Sequence, residues 1–559
     1  MKKILSIAAL AFGLNAAAQT PCVDGFADIY PCQNVDLLAY MPLAEIGGGE
    51  NTNDLWGWVS PETGKEYALV GCSNGTAFVD ISTPTAPVYL GLLPTHTTVN
   101  LWRDIETFNN YCFIGSEAPG HGLQIFDLMQ LDDVTNPPLV FEETAFYGEF
   151  GNSHTINIDT ESGYCYAMGT NTFSGGLHIV DINDPLNPTL AGGFAEDGYT
   201  HDGFALTYNG PDQDYMGNEI MIACNADALT IVNCTDKSDC QMISTTDYAE
   251  LGYVHQGWFT KDFRYFILDD ELDEQDLSVG TRTHIFDLND LDNPVYMGLY
   301  QHDNTSIDHN MYIVDQFIYQ SNYRSGVRIF DASRAAQGTI DPLGYFDLFP
   351  LNDLPIFSGT WSNYPFLPSG VNIATSMYDG FFITQPTLVM LPEQPMLLCP
   401  DASMTFEIII RADLQFPLTV GFDNAPAGAT WSAPIITEPG TYSITLLNGW
   451  EGTNESILTL NTTFGTQYEF AISTDVCVGV YDLSAITSTI QLYPNPASDQ
   501  INFNKPGGQA IYEILDMAGQ VVLRGRTDRR GAAQVSVAQF APGIYCVKIG
   551  TSSIRFVVR

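Results

Sequence analysis

Four histidines stand at matching places in four successive segments of the chain: Ser153-His154-Thr155, Thr200-His201-Asp202, Val254-His255-Gln256 and Asp308-His309-Asn310. Each opens a short β-type run. Imidazole nitrogens suit Zn, Cu, Fe or Ni, with Mn admitted where carboxylates join them, so His154, His201, His255 and His309 are candidate metal ligands if the fold gathers them. The competing reading is a hydrogen-bonded polar plug, since a lone histidine is more often structural than ligating. The other five, His96, His121, His178, His284 and His302, fall in turns or outer strands without that register and read as structural.

The equivalent openings elsewhere are Asp54-Leu55-Trp56-Gly57, Arg103-Asp104-Ile105 and Thr360-Trp361. The strands that follow return to the same end at Ser116-Glu117, Thr170-Asn171, Asn225, Asp269-Asp270-Glu271 and Asn322-Tyr323-Arg324. Asp104, Glu117, Asp270 and Glu271 are therefore candidate acids or bases, or orienters of imidazole, and Tyr323 with Arg324 would hold an anionic group. The acidic run Asp269 to Asp276 offers oxygen ligands to Ca without the spacing or glycine of a helix-loop-helix calcium site, and reads equally as solvated surface. Trp56, Trp58, Trp102, Trp258 and Trp361 would stack on a sugar or flat ligand at a channel mouth, or pack between sheets. There is no Gly-rich phosphate loop and no HExxH.

The elements that must position these residues repeat. An apolar-x-apolar phrase ending in Asp, usually just after Gly, occurs at Thr76 to Asp80, Leu123 to Asp127, Leu177 to Asp181, Leu229 to Asn233, His284 to Asp287 and Val327 to Asp331. A degenerate seventh copy lies at Gly380 to Ile383. The successive ends at 80, 127, 181, 233, 287 and 331 give intervals of 47, 54, 52, 54 and 44. A period of that size built only from short strands means one four-stranded blade per repeat. Seven copies predict an all-β, seven-bladed propeller over 19–385. Its innermost strands would line a channel and bring the four imidazoles to one mouth. The last repeat, Trp361 to Thr384, stops after three strands, and the N-terminal run 35–43 (VDLLAYMPL) is a strand without a blade, so their pairing would close the ring.

The 559 residues carry 20 basic and 66 acidic side chains, a formal charge of −46. That excludes nucleic acid as the main partner, because phosphate binding needs a basic surplus. Residues 1–18 read as a signal peptide: Lys2 and Lys3, the apolar stretch Ile4 to Leu14, then Ala16-Ala17-Ala18. No later segment is a transmembrane span, so the mature chain is expected outside the cytoplasm without one. Export permits disulfides. Local loop closure suggests Cys22 with Cys32, Cys234 with Cys240 and Cys399 with Cys477. Cys72, Cys112, Cys165, Cys224 and Cys546 remain, with a Cys112–Cys165 pair and buried thiols as alternatives. Residues 386–480 alternate as short strands and predict an immunoglobulin-like β-sandwich, followed by a 481–490 linker and a small β-sandwich at 491–559.

The C-terminal stretch LYPNPASDQINF, then YEILDMAGQVV, PGIYCVKI and IRFVVR, resembles the type A sorting domain of the Bacteroidota type IX secretion system. The resemblance implies handling by the type IX machinery, delivery to the outer-membrane surface or the medium, and removal of the domain during release or attachment. Residues 22 to about 384 resemble the choice-of-anchor B family, whose propellers contain LVIVD-type repeats. The carrying segments are CVDGFADIYPCQNVDLL, YTHDGFALTYNGPDQDYMGNEI, LTIVNCTDKS, HQGWFTKDFRYFILDDELDE and IYQSNYRSGVRIFD. Asn233 departs from the usual Asp of the repeat, which predicts one weakened turn. Two functions compete: a non-catalytic propeller binding an extracellular protein or glycan at its channel face, and a metal-dependent enzyme, an oxidoreductase or lyase, built on the His ring.

Overall fold

The computed structural model describes residues 19–390 without a break and, beyond them, much of 396–558. The signal peptide, the 481–490 linker and the Cys399–Cys477 pair lie outside the described residues.

Seven antiparallel sheets form a ring, each with four blade strands that in the first six follow chain order from the inside outward. Blade one is Thr52–Val59, Glu66–Cys72, Gly75–Asp80 and Val88–Pro94. Blade four, Asp202–Thr207, Glu219–Cys224, Leu229–Asn233 and Gln241–Thr246, has the same plan. In blade seven the first three strands are Thr360–Tyr364, Asn372–Ser376 and Gly380–Pro386, and the fourth is the N-terminal Val35–Pro42. That strand pairs from Val35 opposite Pro386 to Pro42 opposite Gly380, covering two edges that would otherwise expose unpaired backbone groups.

The repeat phrase has a visible physical role. Its terminal carboxylate accepts the amide two residues on: Asp80 from Ser82, Asp127 from Met129, Asp181 from Asn183, Asp287 from Asn289 and Asp331 from Ser333. This side-chain turn starts the connection to the outer strand. Asn233 makes the same turn, accepting from the Thr235 amide at 3.0 Å and from its hydroxyl at 2.7 Å. The expected weakening is absent, because an amide oxygen accepts as a carboxylate oxygen does. In blades one, three, four, five and six the register slips once within the phrase, between Phe78 and Val79 in the first and Ile329 and Phe330 in the last, and the bulge bends the outer strand.

Around the channel, polar side chains of one inner strand reach the backbone of the next. Asp54 accepts from the Ile105 amide, Asp104 from Ile156, Glu106 from Ile158, Asn157 from Ala205 and Gln256 from Met311. These bonds tie the blades where no sheet ladder does, while apolar clusters such as Leu206, Ile220, Phe259 and Phe266 fill the space between them.

Two additions escaped the repeat pattern. Tyr30–Gln33 extends blade six beyond Asp341–Phe346, held by the Cys22–Cys32 disulfide, and Leu139–Val140 pairs in parallel with the outer strand of blade one. The Cys234–Cys240 disulfide closes the turn after the blade-four phrase. Cys72, Cys112, Cys165 and Cys224 are free and buried, so no Cys112–Cys165 bridge forms; burial pushes the Cys72 thiol up to about 12.

Past the ring, two sheets built around Met404–Ile410 with Gly440–Leu447 and around Asn454–Thr462 with Gln467–Val476 form the sandwich. Its Tyr468 hydroxyl donates to Asp331 at 2.6 Å, and Ile408, Leu418 and Leu458 share one apolar cluster with Val327, Ile329 and Phe346 of blade six. The last unit packs two sheets around Ile501, Phe503, Ile514, Val547 and Phe556.

Candidate metal centre at the channel mouth

All inner strands enter the ring from one end, so their opening residues share a rim. His154 and His201 immediately precede Thr155–Asp159 and Asp202–Thr207; His309 stands two residues before Met311–Val314. His255 lies within Val254–Phe259, at a bulge where Val254 faces Asp270 and Gln256 faces Asp269. The extra residue of a bulge re-aims its side chain, which here is the imidazole. The four rings form an arc with centroid separations of 4.1 Å for His154–His201, 4.7 Å for His201–His255 and 4.4 Å for His255–His309.

Each imidazole is held through Nδ1. His154 Nδ1 meets Glu117 Oε1 at 2.5 Å, and His255 Nδ1 meets Asp269 Oδ2 at 3.1 Å. His309 Nδ1 donates to the Trp361 carbonyl at 2.6 Å. His201 Nδ1 faces the hydroxyls of Tyr199 at 3.1 Å and Tyr253 at 2.9 Å. Anchoring one nitrogen fixes the ring and frees the other, the arrangement that orients histidine ligands. His201 Nε2 is buried without a hydrogen-bond partner. Glu271 reaches the same space, with Oε2 at 3.9 Å from His255 Nε2 and Oε1 at 3.5 Å from His309 Nε2; it also accepts from the Tyr323 hydroxyl at 3.1 Å. Ligand atoms of His201, His255 and Glu271 lie within 4.8 Å of one another.

The electrostatics suit a cation. Burial, then the neighbouring imidazoles, hold His201 well below its ordinary range, and burial with the His255 charge does the same to His309. Burial alone would lower His255 too, but the Asp269 and Glu271 carboxylates outweigh it and lift it to about 9. The arc and Glu271 open into a cavity of about 290 Å³ whose remaining walls are Leu101, Trp102, Tyr323, Phe357, Trp361, Met377 and Tyr378. Trp102, Phe357 and Tyr378 also stand exposed at its rim.

The other candidates divide. Glu117 and Tyr323 touch the His arc or its carboxylate, and Glu271 belongs among the imidazoles instead of behind them. Asp270 does not join: alternation along Tyr265–Asp270 turns it from the face that Asp269 presents, and it accepts from Tyr248, Gly252 and Tyr253. Arg324 also points elsewhere, to Ser358 Oγ and Asn352 Oδ1 with its guanidinium over Phe349. Asp104 lies within the channel wall beside Asp54, where burial raises both carboxyls and the Asp104 charge adds to the rise at Asp54. Of the tryptophans, Trp102 and Trp361 line this cavity. Trp56 and Trp258 line a separate one of about 430 Å³ formed with the far ends of the inner strands, and Trp58 stacks on Tyr67 between blades. His178 and His284 are buried in third strands, not in turns or outer strands. The string Gly71-Cys72-Ser73-Asn74-Gly75 has the G-x-S-x-G form. It is a tight hairpin between two strands of blade one, not the strand-to-helix elbow that exposes a nucleophile.

Two parts of the chain match known protein families. Residues 491–559 match the secretion system C-terminal sorting domain, so the chain is a cargo of type IX secretion, directed to the cell surface or the medium. Residues 64–95 and 171–195, in blades one and three, match the LVIVD repeat. No curated protein matches the chain. Among solved structures, a protein from Lactobacillus plantarum is 12% identical with a TM-score of 0.37, covering 71% of this chain and 100% of its own. The extracellular domain of a hybrid two-component system from B. thetaiotaomicron is 13% identical with a TM-score of 0.39, covering 78% and 58%. A hypothetical selenium-binding protein from Sulfolobus tokodaii is 10% identical with a TM-score of 0.37, covering 55% and 86%. Among the described residues no helix is long and apolar enough to cross a membrane.

Proposed function

We propose that this exported propeller is a metal-dependent enzyme, an oxidoreductase or lyase. In this reading His154, His201, His255 and His309, with Glu271, hold one first-row transition metal at the channel mouth. The observation that carries the reading is the anchoring of all four imidazoles through Nδ1. A plug of structural histidines would use both nitrogens of each ring on protein partners, whereas here His201 Nε2 is buried and unpaired. Nitrogen donors with one carboxylate suit Fe, Mn, Cu, Ni or Zn. The ion would act as a Lewis acid or redox centre toward a molecule in the cavity. Apolar and aromatic walls over that face fit a small, flat, largely apolar substrate, and Tyr323, bonded to Glu271, is placed to exchange a proton with it.

A second reading is favoured by the rim: Trp102, Phe357 and Tyr378, 39%, 40% and 57% exposed, offer an apolar surface to an extracellular protein or glycan without any turnover. Elemental analysis of the protein exported by its host separates the two. The enzyme reading expects about one transition-metal ion per chain, lost in the His201→Ala, His255→Ala double variant, and metal-dependent turnover in a screen of small aromatic and apolar compounds. A folded, metal-free protein that does not take up Fe, Mn, Cu, Ni or Zn would sink it.

A further inference from the structure

The channel has a second mouth, where the inner strands end, and its chemistry differs from that of the first. Trp56 of blade one, Phe204 of blade four, Trp258 of blade five, and Tyr364 with Phe366 of blade seven stand half-buried around a cavity of about 430 Å³. Their rings are continuous. Phe204 meets Trp258 edge-on at a centroid distance of 4.4 Å, Tyr364 lies 4.9 Å from Trp56, and Phe366 lies 5.2 Å from Tyr364 and 5.8 Å from Trp258. Tyr312 of blade six backs them, 5.9 Å from Trp56 and 5.1 Å from Trp258, its hydroxyl paired with Ser362 Oγ.

Blades two and three complete the wall with acids. Glu106, 7% exposed, and Asp159, 5% exposed, line the cavity together with Glu161. Glu106 accepts from the Asn157 side-chain amide at 2.8 Å and from the Ile158 backbone amide at 2.7 Å, one bond to each oxygen. Asp159 accepts from the Thr207 hydroxyl at 2.8 Å and from the Glu161 amide at 3.0 Å. The donors of Asn157 and Thr207 are thereby spent on the wall's own carboxylates, and the Asn209 amide is spent on the Thr207 carbonyl. Each carboxylate oxygen still keeps a lone pair. Among the described residues no Lys, Arg or His lines this cavity.

A ligand suited to these walls offers positive charge and an apolar body. Aromatic faces attract cations, more strongly where water is excluded. Three carboxylates without a base repel an anion. A neutral sugar needs donors as well as acceptors for its hydroxyls, and the acidic wall supplies chiefly acceptors. The geometry points to a second binding site at this mouth for a small organic cation, an alkyl- or arylammonium ion, with its charge toward Glu106 and its body on Trp56, Trp258 and Phe366. Burial, then the Asp104 charge, raises Glu106 well above the ordinary carboxylate range, and a cation beside it supplies the counter-charge that lowers it again. The site lies at the other end of the channel from the His arc and does not rest on the enzyme reading.

The test is isothermal titration calorimetry of the full chain with choline and benzyltrimethylammonium, set against 3,3-dimethylbutan-1-ol, the neutral isostere of choline, and methyl glucoside. At least one ammonium ion is expected to bind, with both neutral compounds weaker by about 10-fold or more. Glu106→Gln keeps the size of the side chain and should weaken the ammonium ion about 10-fold, and Phe366→Leu should weaken it several-fold. The proposal is overturned if neither ammonium ion binds, if either neutral compound binds as tightly, or if the ammonium affinity is unchanged in Glu106→Gln or in Phe366→Leu, which would place the ion in another cavity. Should Glu106→Gln not fold, Phe366→Leu and the comparison with the isostere decide the matter.

Discussion

Glu117 touches the His arc from outside, its carboxylate meeting the Nδ1 of His154, so its removal probes orientation without emptying the cavity. Glu117→Ala should weaken transition-metal affinity by about 10- to 100-fold while leaving the melting temperature of the chelated protein unchanged. Competition with a coloured chelator reads the first and calorimetry the second. A different histidine carries a pH dependence. His178 is buried between the Tyr147 hydroxyl and Thr172 Oγ1, and burial lowers it to about 4 from an unfolded value near 6.5. It is neutral in the fold. Its contribution is therefore complete above pH ~6.5 and is lost as pH falls toward 4, where the unfolded chain takes up a proton that the folded one refuses, by up to about 3 kcal/mol. Denaturant midpoints measured from pH 7 to 4 should fall less steeply in His178→Gln, which keeps a polar group and cannot titrate. At this scale the sequence showed which residue types recur. It could not show that Asp270 and Glu271, adjacent in the chain, serve two different places, because that depends on which face of one strand meets the channel.

At the scale of elements, the carboxylate that closes each repeat phrase is a turn former. Asp181→Ala should cost about 1 kcal/mol by losing the Asn183 amide bond, whereas Asp181→Asn should cost only a few tenths. The native Asn233 turn shows why the second is mild. Chemical denaturation of the two variants measures the difference. Period and alternation made the blade strands readable, since each needs an apolar inner pattern and a turn signal within about ten residues. The bulge at His255 was not readable. Nothing in Val254-His255-Gln256 differs from an ordinary strand opening until the partner Asp269-Asp270 is in register beside it. Tyr30–Gln33 and Leu139–Val140 were missed for a related reason: short strands added to an existing edge are stabilised by that edge and carry no periodic signal of their own.

The whole molecule depends on ring closure by the N-terminal strand, in which Leu38, Ala39 and Met41 are buried against blade seven and its neighbour. Leu38→Asp should destabilise the propeller by about 4 kcal/mol or more, by placing an unpaired charge in that core. The expected readout is loss of a single sharp melting transition together with turbidity from the freed edges; a variant that melts like the parent would show that the ring holds without this strand. By itself, the amino-acid sequence determined the export address, the count of seven repeats and the histidines that share a position in four of them, because these are properties of spacing along one chain. Only the tertiary structure decided that the imidazoles turn Nε2 toward a common cavity with Glu271 among them and that Arg324 turns away. Those outcomes depend on how neighbouring sheets pack and which face each strand presents, and such contacts join residues that the chain order keeps apart.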